Sequence, residues 1–294
     1  MGSADVVPGV SGGTVALVVG IYEKLIDTIR DGARALAAIL TGNFTEFRER
    51  IRAIDLGFIV PLLAGILLAV VSLASVIQTQ LRDNPENMAG LFFGLVAASV
   101  VVAMRLIDSR STRNVAIMVV GGVAVFALLG YQSGPVADPS PIAFFGAGAL
   151  AICAMILPGI SGSFILLMLG MYSAVIGAVD DRVLGDVALV GLGAVIGLAL
   201  FSSLLGRVLD KAFEPVMAGL IGIMIGSMRV LWPWPNGVGV ISKDQSEVIS
   251  GTGLDWPNSS EWFSPTALAV VAMAAVLVFA QVAQSHRSAE APTR

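Results

Sequence analysis

The sequence predicts an all-α, polytopic membrane protein of two inverted repeats, each a re-entrant helical hairpin followed by three transmembrane helices. Three observations carry this. Of 294 residues 56% are hydrophobic and only 13% charged, with a mean hydropathy of +0.88, outside the range of a soluble domain. Uncharged runs at 56–81, 88–104, 114–137, 139–179, 187–206, 215–228 and 262–285 mostly match the roughly 20 residues that one helical crossing needs. Finally, a Pro-Gly-x-Ser-Gly string occurs twice, 150 residues apart, as Pro8-Gly9-Val10-Ser11-Gly12 and Pro158-Gly159-Ile160-Ser161-Gly162, each inside an apolar stretch.

The repeat extends beyond the string, because Ala4 matches Ala154, Leu17 matches Leu167, Gly20 matches Gly170 and Tyr22 matches Tyr172. That gives eight identities in 19 ungapped positions, the mark of a duplicated unit. Pro-Gly stops a helix and exposes backbone polar groups, which a membrane tolerates only where they line a cavity. A duplicated, broken membrane helix is therefore a pointer to a transport site. The 41 residues of 139–179 would make a helix of roughly 60 Å, about twice the hydrocarbon thickness. Pro158-Gly159 divides the run into arms 142–157 and 161–176, each about 24 Å long, which predicts a re-entrant hairpin.

By the repeat, residues 1–22 form the first hairpin, though only seven residues precede Pro8, so its leading arm is short or the natural chain begins earlier. Three crossings (56–81, 88–105, 114–133) separate the hairpins and three follow the second (187–206, 214–231, 263–284). An odd number of crossings inverts the second half. The units are thus 1–137, a first repeat, 138–285, a second, and 286–294, a polar tail.

Placing 22–55 in the cytoplasm, with a re-entrant second hairpin, puts 13 of the 17 Lys and Arg inside, and 12 if that hairpin is a single crossing, as the positive-inside rule asks. This fixes the first half and leaves the hairpin to the motif. Between 24 and 55, Leu25, Ile26, Ile29, Ala33, Leu36, Ile39 and Leu40 form an apolar stripe with Arg30 and Arg34 beside it, which reads as an interfacial amphipathic helix covering the bundle or recruiting lipid headgroups. Trp232, Trp234, Trp256 and Trp262 read as an interfacial belt on the outer side.

Several function classes drop out. The net charge of −4 is dispersed, so no basic face for nucleic acid exists. Cys153 is the single cysteine and reads as a small buried hydrophobe. The lone histidine, His286, falls in the polar tail, which excludes histidine relays and histidine-dependent lipid phosphatases. No metal-ligating or catalytic set, no cofactor motif and no nucleotide-binding Gly-x-x-x-x-Gly-Lys-Ser/Thr loop is present.

Helices that begin after the Pro-Gly breaks expose unpaired N–H groups near Ser11 to Val15 and Ser161 to Ile165, and such termini bind anions. Ser11, Thr14, Ser161 and Ser163 add hydroxyls, while Gly12, Gly13 and Gly162 permit close approach. Each terminus supplies roughly half a positive charge, against about −1.5 to −2 on a phosphomonoester. Arg105 and Arg229, which end the second crossing of their halves, are candidates to make up the difference, with interfacial snorkelling as the plain alternative. Asp5 and Glu23 flank the first motif, opposite Met155 and Ser173 in the second, an asymmetry that points to coupling by a proton or sodium ion or, more simply, to helix capping.

At these residues the chain resembles a bacterial family long catalogued as a membrane domain of unknown function and now assigned as polyprenyl-phosphate transporters. The likeness runs through Met1-Gly2-Ser3-Ala4-Asp5-Val6-Val7 and the first motif to Thr14, then Gly20-Ile21-Tyr22-Glu23, Pro158 to Gly162, and Gly226-Ser227-Met228-Arg229-Val230-Leu231-Trp232-Pro233, and covers nearly the whole chain. The second copy departs in carrying Ser163-Phe164 where the first has Gly13-Thr14. The resemblance implies a flippase of the bacterial cytoplasmic membrane, moving undecaprenyl phosphate from the outer to the inner leaflet, its partners being that lipid and the surrounding membrane lipids. A small-anion channel or carrier using the same helix termini is the rival reading, and an intramembrane lipid-phosphate enzyme a weaker one.

Overall fold

The computed structural model describes residues 1–5, 7, 10–107, 111–130, 135–234, 254–257 and 261–290, and every regular element among them is helical. The first hairpin consists of α1 (Gly2–Asp5) and α2 (Gly12–Val18), followed by α3 (Tyr22–Leu40) and α4 (Phe44–Ala53). Three long helices come next: α5 (Leu56–Asp83), α6 (Pro85–Met104) and α7 (Thr112–Leu128). The second hairpin is α8 (Pro141–Ile156) and α9 (Gly162–Met168), continued by α10 (Tyr172–Asp180). Then come α11 (Leu184–Lys211), α12 (Phe213–Ser227) with a 3₁₀ turn over Met228–Leu231, and α13 (Phe263–Glu290).

The six expected crossings correspond to α5, α6, α7, α11, α12 and α13. Their starts follow from local chemistry: Asp55, Ser111 and Ser140 accept hydrogen bonds from the amides of Phe58, Asn114 and Ala143, and Pro85 and Pro141 occupy the first helical turn. Residues 131–134, the end of one expected crossing, lie outside the described residues, as do Pro8 and Gly9. Helix α13 runs on to Glu290, past the point where the polar tail was expected to begin.

Two expectations change. The return arm 161–176 is not one helix, because α9 and α10 meet at a bend of 113°. The break falls at Gly170, whose φ of +68° is matched by +68° at Gly20 in the first half, a backbone conformation that favours glycine. The stripe on α3 is also displaced. Tyr22, Ile26, Ala35 and Ala38 are the buried positions, whereas Leu36 and Ile39 are 39% and 41% exposed, because small residues let α3 lie against α11.

The bundle is organised by three close pairs, α8 with α11, α7 with α12 and α6 with α13. Each uses a Gly-x-x-x-Gly string or its kin. Gly193 and Gly197 of α11 abut the backbone at Phe145 and Ala149, Gly222 and Gly226 of α12 abut Met118 and Gly122, and Gly90 and Gly94 of α6 abut Pro265 and Ala269. Lipid leaves no hydrophobic drive between membrane helices, so such backbone contact is what holds them. Helices α6 and α12 form the centre, each span 56% buried, whereas α5 is 0% buried and lies at the edge.

Candidate functional site

The two motifs meet through Ser11 and Thr14 of the first and the break of the second. The amide of Gly159 donates to Thr14 Oγ1 at 2.8 Å, Ser11 Oγ donates to the carbonyl of Met155 at 3.0 Å, and the Tyr22 hydroxyl donates to the carbonyl of Ile156 at 3.2 Å. All three bonds join first-hairpin side chains to the backbone around the second break. Thr14 and Ser11 are 0% and 1% exposed, so these bonds form away from solvent. A Cβ on Gly13 would come within 2.8 Å of the Ile156 carbonyl, which explains the small residue there.

The second break in turn rests on α12. Gly159 has φ +92°, and a Cβ there would come within 2.9 Å of Met224 Cα and 2.8 Å of Ser227 Oγ. Pro158-Gly159 thus supplies both the helix stop and the only side-chain size that this approach allows.

The helix starts that follow the two breaks differ. In the first, Gly12 N donates to Asp5 Oδ1 at 2.6 Å, Gly13 N to Ser11 Oγ at 3.0 Å, and Thr14 N to the Ser11 carbonyl at 3.0 Å. The Asp5 carboxylate sits where an anion was expected. In the second, Ser161 makes no side-chain cap and turns instead to Ser163, the hydroxyl oxygens lying 2.7 Å apart. The amides of Gly162, Ser163 and Phe164 have no hydrogen-bond partner among the described residues. Phe164, in the register of Thr14, packs with Leu129 and Val230.

The arginines stand apart from one another. Arg229 lies in the 3₁₀ turn beside Val230, so its backbone adjoins the Phe164 layer. Its Nη1 donates to the Phe126 carbonyl at 3.0 Å and its guanidinium stacks 4.7 Å over the Phe126 ring, a favourable place for a cation near the C-terminal end of α7. Arg105 caps α6 through its backbone, and its exposed side chain makes no ion pair or hydrogen bond among the described residues.

Glu23 faces a cavity of about 600 Å³ beneath α2, shared with Tyr22, Lys24, Asp27, Asp55 and Leu106. Lys24 Nζ is 2.7 Å from Asp55 Oδ2, and its hydrogen bond holds the Asp55 carboxyl below the usual carboxylate range. Among the described residues no group of three or more metal-ligating side chains converges.

Of the tryptophans, Trp256 and Trp262 are 86% and 49% exposed, as an interfacial belt requires, but Trp234 is buried at 8%. It stacks edge-on with Trp232, which also meets Phe93 and Trp256. Cys153 Sγ lies 3.6 Å from the Gly197 carbonyl, within the α8–α11 contact.

An all-helical bundle of membrane-length helices, with two broken hairpins in contact, defines a multi-pass membrane protein. The chain belongs to the undecaprenyl phosphate translocase-like family, whose model matches residues 1–249. That family is one of transporters, not of enzymes. A polyprenyl-phosphate transporter of Vibrio cholerae is 38% identical over 240 residues, covering 80% of this chain and 75% of that protein. Another, from Staphylococcus aureus, is 29% identical over 250 residues, covering 79% of this chain and 83% of that one. No solved structure matches.

Proposed function

We propose that the chain moves undecaprenyl phosphate, or a related polyprenyl phosphate, from the outer to the inner leaflet of the bacterial cytoplasmic membrane, returning a lipid carrier for reuse. The relatives' substrate supports this. The observation that carries the site is the pair of joined tips, of which one helix start is filled and the other open. The prenyl tail stays in lipid while the phosphate passes between the tips.

In this reading Ser161, Gly162 and Ser163 form the first seat, where the amides of Gly162, Ser163 and Phe164, without a partner among the described residues, receive phosphate oxygens. Ser11, Gly12, Gly13 and Thr14 form the second, which opens only when the Asp5 carboxylate leaves Gly12. A proton on Asp5 weakens that hold, so proton coupling is favoured over sodium, with Glu23 at the cavity below as the group next in line. Roughly half a positive charge at one helix terminus cannot balance a phosphate of about −1.5 to −2. Arg229, beside the Phe164 layer, supplies the rest on capture, and Arg105 at the far end of α6 serves release.

Opposed running of the halves 1–137 and 138–285 is supported by which helix ends meet. Lys24 and Arg30 of α3 hold Asp55, just before α5, and Asp210, near the end of α11. The side-chain amide of Asn114, near the start of α7, donates to Glu214, near the start of α12.

The test is transport in vesicles of purified full chain carrying a fluorescent short-chain polyprenyl phosphate, scored by its loss from one leaflet. Transfer that Ser163→Pro abolishes supports the reading. Transfer of free phosphate with none of the lipid would replace it with a small-anion carrier.

A further inference from the structure

Residues 22–55 break the symmetry of the two halves. Matching positions lie 150 apart at Tyr22 and Tyr172 but 128 apart at Leu56 and Leu184, where two helices of 28 residues begin, so the first half carries 22 more residues between these points. The excess is α4 together with the longer run of α3, which has 19 residues where its counterpart α10 has 9. Helix α4 packs on α3, yet none of its residues is buried.

We infer that the outer face of α4 is a docking surface for anionic phospholipid headgroups, in the leaflet where α5 begins. Spacings of four, seven and eight residues along a helix share one face, and here they align Phe44, Arg48, Ile51 and Arg52. Phe44 is 71% exposed and Ile51 41%. Arg48 and Arg52 are exposed and form no ion pair or hydrogen bond among the described residues, whereas Arg50 on the other side is taken by Asp31 at 3.8 Å and Glu46 at 3.7 Å. One side is thus internally neutralised, while the line from Phe44 to Arg52 is cationic and apolar, with the exposed Glu49 at its margin.

Chain geometry puts the Ile51–Arg52 end of that face beside a membrane span. Only Ile54 and Asp55 separate α4 from the apolar span of α5, and two residues reach about 7 Å at most. An apolar face then enters the headgroup boundary with Phe44 and Ile51, while guanidinium forks meet phosphodiester oxygens. The surface is open, with no enclosing wall around the arginines, so it recognises charge and not the shape of one lipid. That favours the phospholipids of the leaflet as occupants over the transported lipid, and the inference stands whichever substrate is carried. Near an anionic surface each basic residue contributes about fivefold, so the pair contributes about 25-fold.

The purified full chain in neutral detergent, offered equal amounts of phosphatidylglycerol and phosphatidylcholine, tests this when the retained lipids are counted by native mass spectrometry. Wild type is expected to retain phosphatidylglycerol preferentially. Arg48→Gln combined with Arg52→Gln should lower that preference about 25-fold, while Arg82→Gln, whose arginine already pairs with Asp83 at the other end of α5, leaves it unchanged. Rising salt should erode the wild-type preference in parallel, a readout independent of whether the double variant folds. Undiminished preference in the double variant, or a salt-insensitive one, overturns the inference. So does displacement of phosphatidylglycerol from this face by stoichiometric farnesyl phosphate, which would make it a substrate subsite.

Discussion

The two hairpins share a motif, a 150-residue register and a glycine turn at φ +68°, yet they do different work. The first is closed on itself, its helix start filled by Asp5 and Ser11, and it spends Ser11, Thr14 and Tyr22 on gripping its partner. The second offers its carbonyls and the Gly159 amide to that grip, and its amides at 162–164 have no partner among the described residues. In the function proposed above, a duplicated sequence has thus become a clamp and a seat. The residues that differ between the copies decide this: Asp5 faces Met155 in the alignment, and Thr14 faces Phe164.

The comparison breaks most completely at Gly159. Alanine there meets both a strained positive φ and the α12 backbone, and strain plus overpacking should cost about 2–4 kcal/mol. A large fall in melting temperature with loss of transport is expected; wild-type stability would show that α12 is not packed as described.

Next comes Ser163→Pro, which removes one open amide in the first turn of α9, where proline is tolerated, after a glycine that accepts the restriction. Loss of a hydrogen bond to a charged group corresponds to about 1.5–3 kcal/mol, or roughly 10- to 150-fold in affinity for a short-chain polyprenyl phosphate. Asp5→Asn is the matched change on the filled side. It keeps an acceptor for Gly12 and should leave affinity near wild type while flattening the pH dependence of transport.

Thr14→Val tests the clamp, since it strands the buried Gly159 amide at about 1–3 kcal/mol. Tyr22→Phe removes one bond to a carbonyl and should cost less, about 0.5–1.5 kcal/mol. Chemical unfolding of both variants checks the order.

The smallest effect belongs to the Lys24–Asp55 pair. A carboxyl held low contributes stability above its unfolded value and loses it as pH falls through the lower folded value. The contact between α3 and the start of α5 should therefore persist to below the usual carboxylate range and then loosen, followed by hydrogen exchange in α4. Asp55→Asn should abolish that dependence on pH.

Much of the fold was legible because uncharged runs of membrane length have few alternatives, and Pro158-Gly159 marks the hairpin break directly. The turn at Gly170 was harder to see. It needs only a glycine, a residue common in membrane helices, and nothing local distinguishes a bend from a straight arm. Helix partners were hidden for another reason: Gly193-x-x-x-Gly197 or Gly90-x-x-x-Gly94 announces a close approach without naming what approaches. The capping by Asp5 depends on the chain reversing between α1 and α2, which spacing alone does not specify. Tyr22 was visible as a repeat identity, but its hydroxyl acts 134 residues away.

The most direct measurement is phosphorus–nitrogen dipolar coupling by solid-state NMR, on membranes holding the full chain and a short-chain polyprenyl phosphate, with backbone nitrogen labels introduced as phenylalanine in one sample and glycine in another. Coupling to the Phe164 amide, lost in Ser163→Pro, is the result this account predicts. Coupling in the glycine sample that Gly162→Ala leaves intact, with none at Phe164, would place the phosphate at the first hairpin and contradict it.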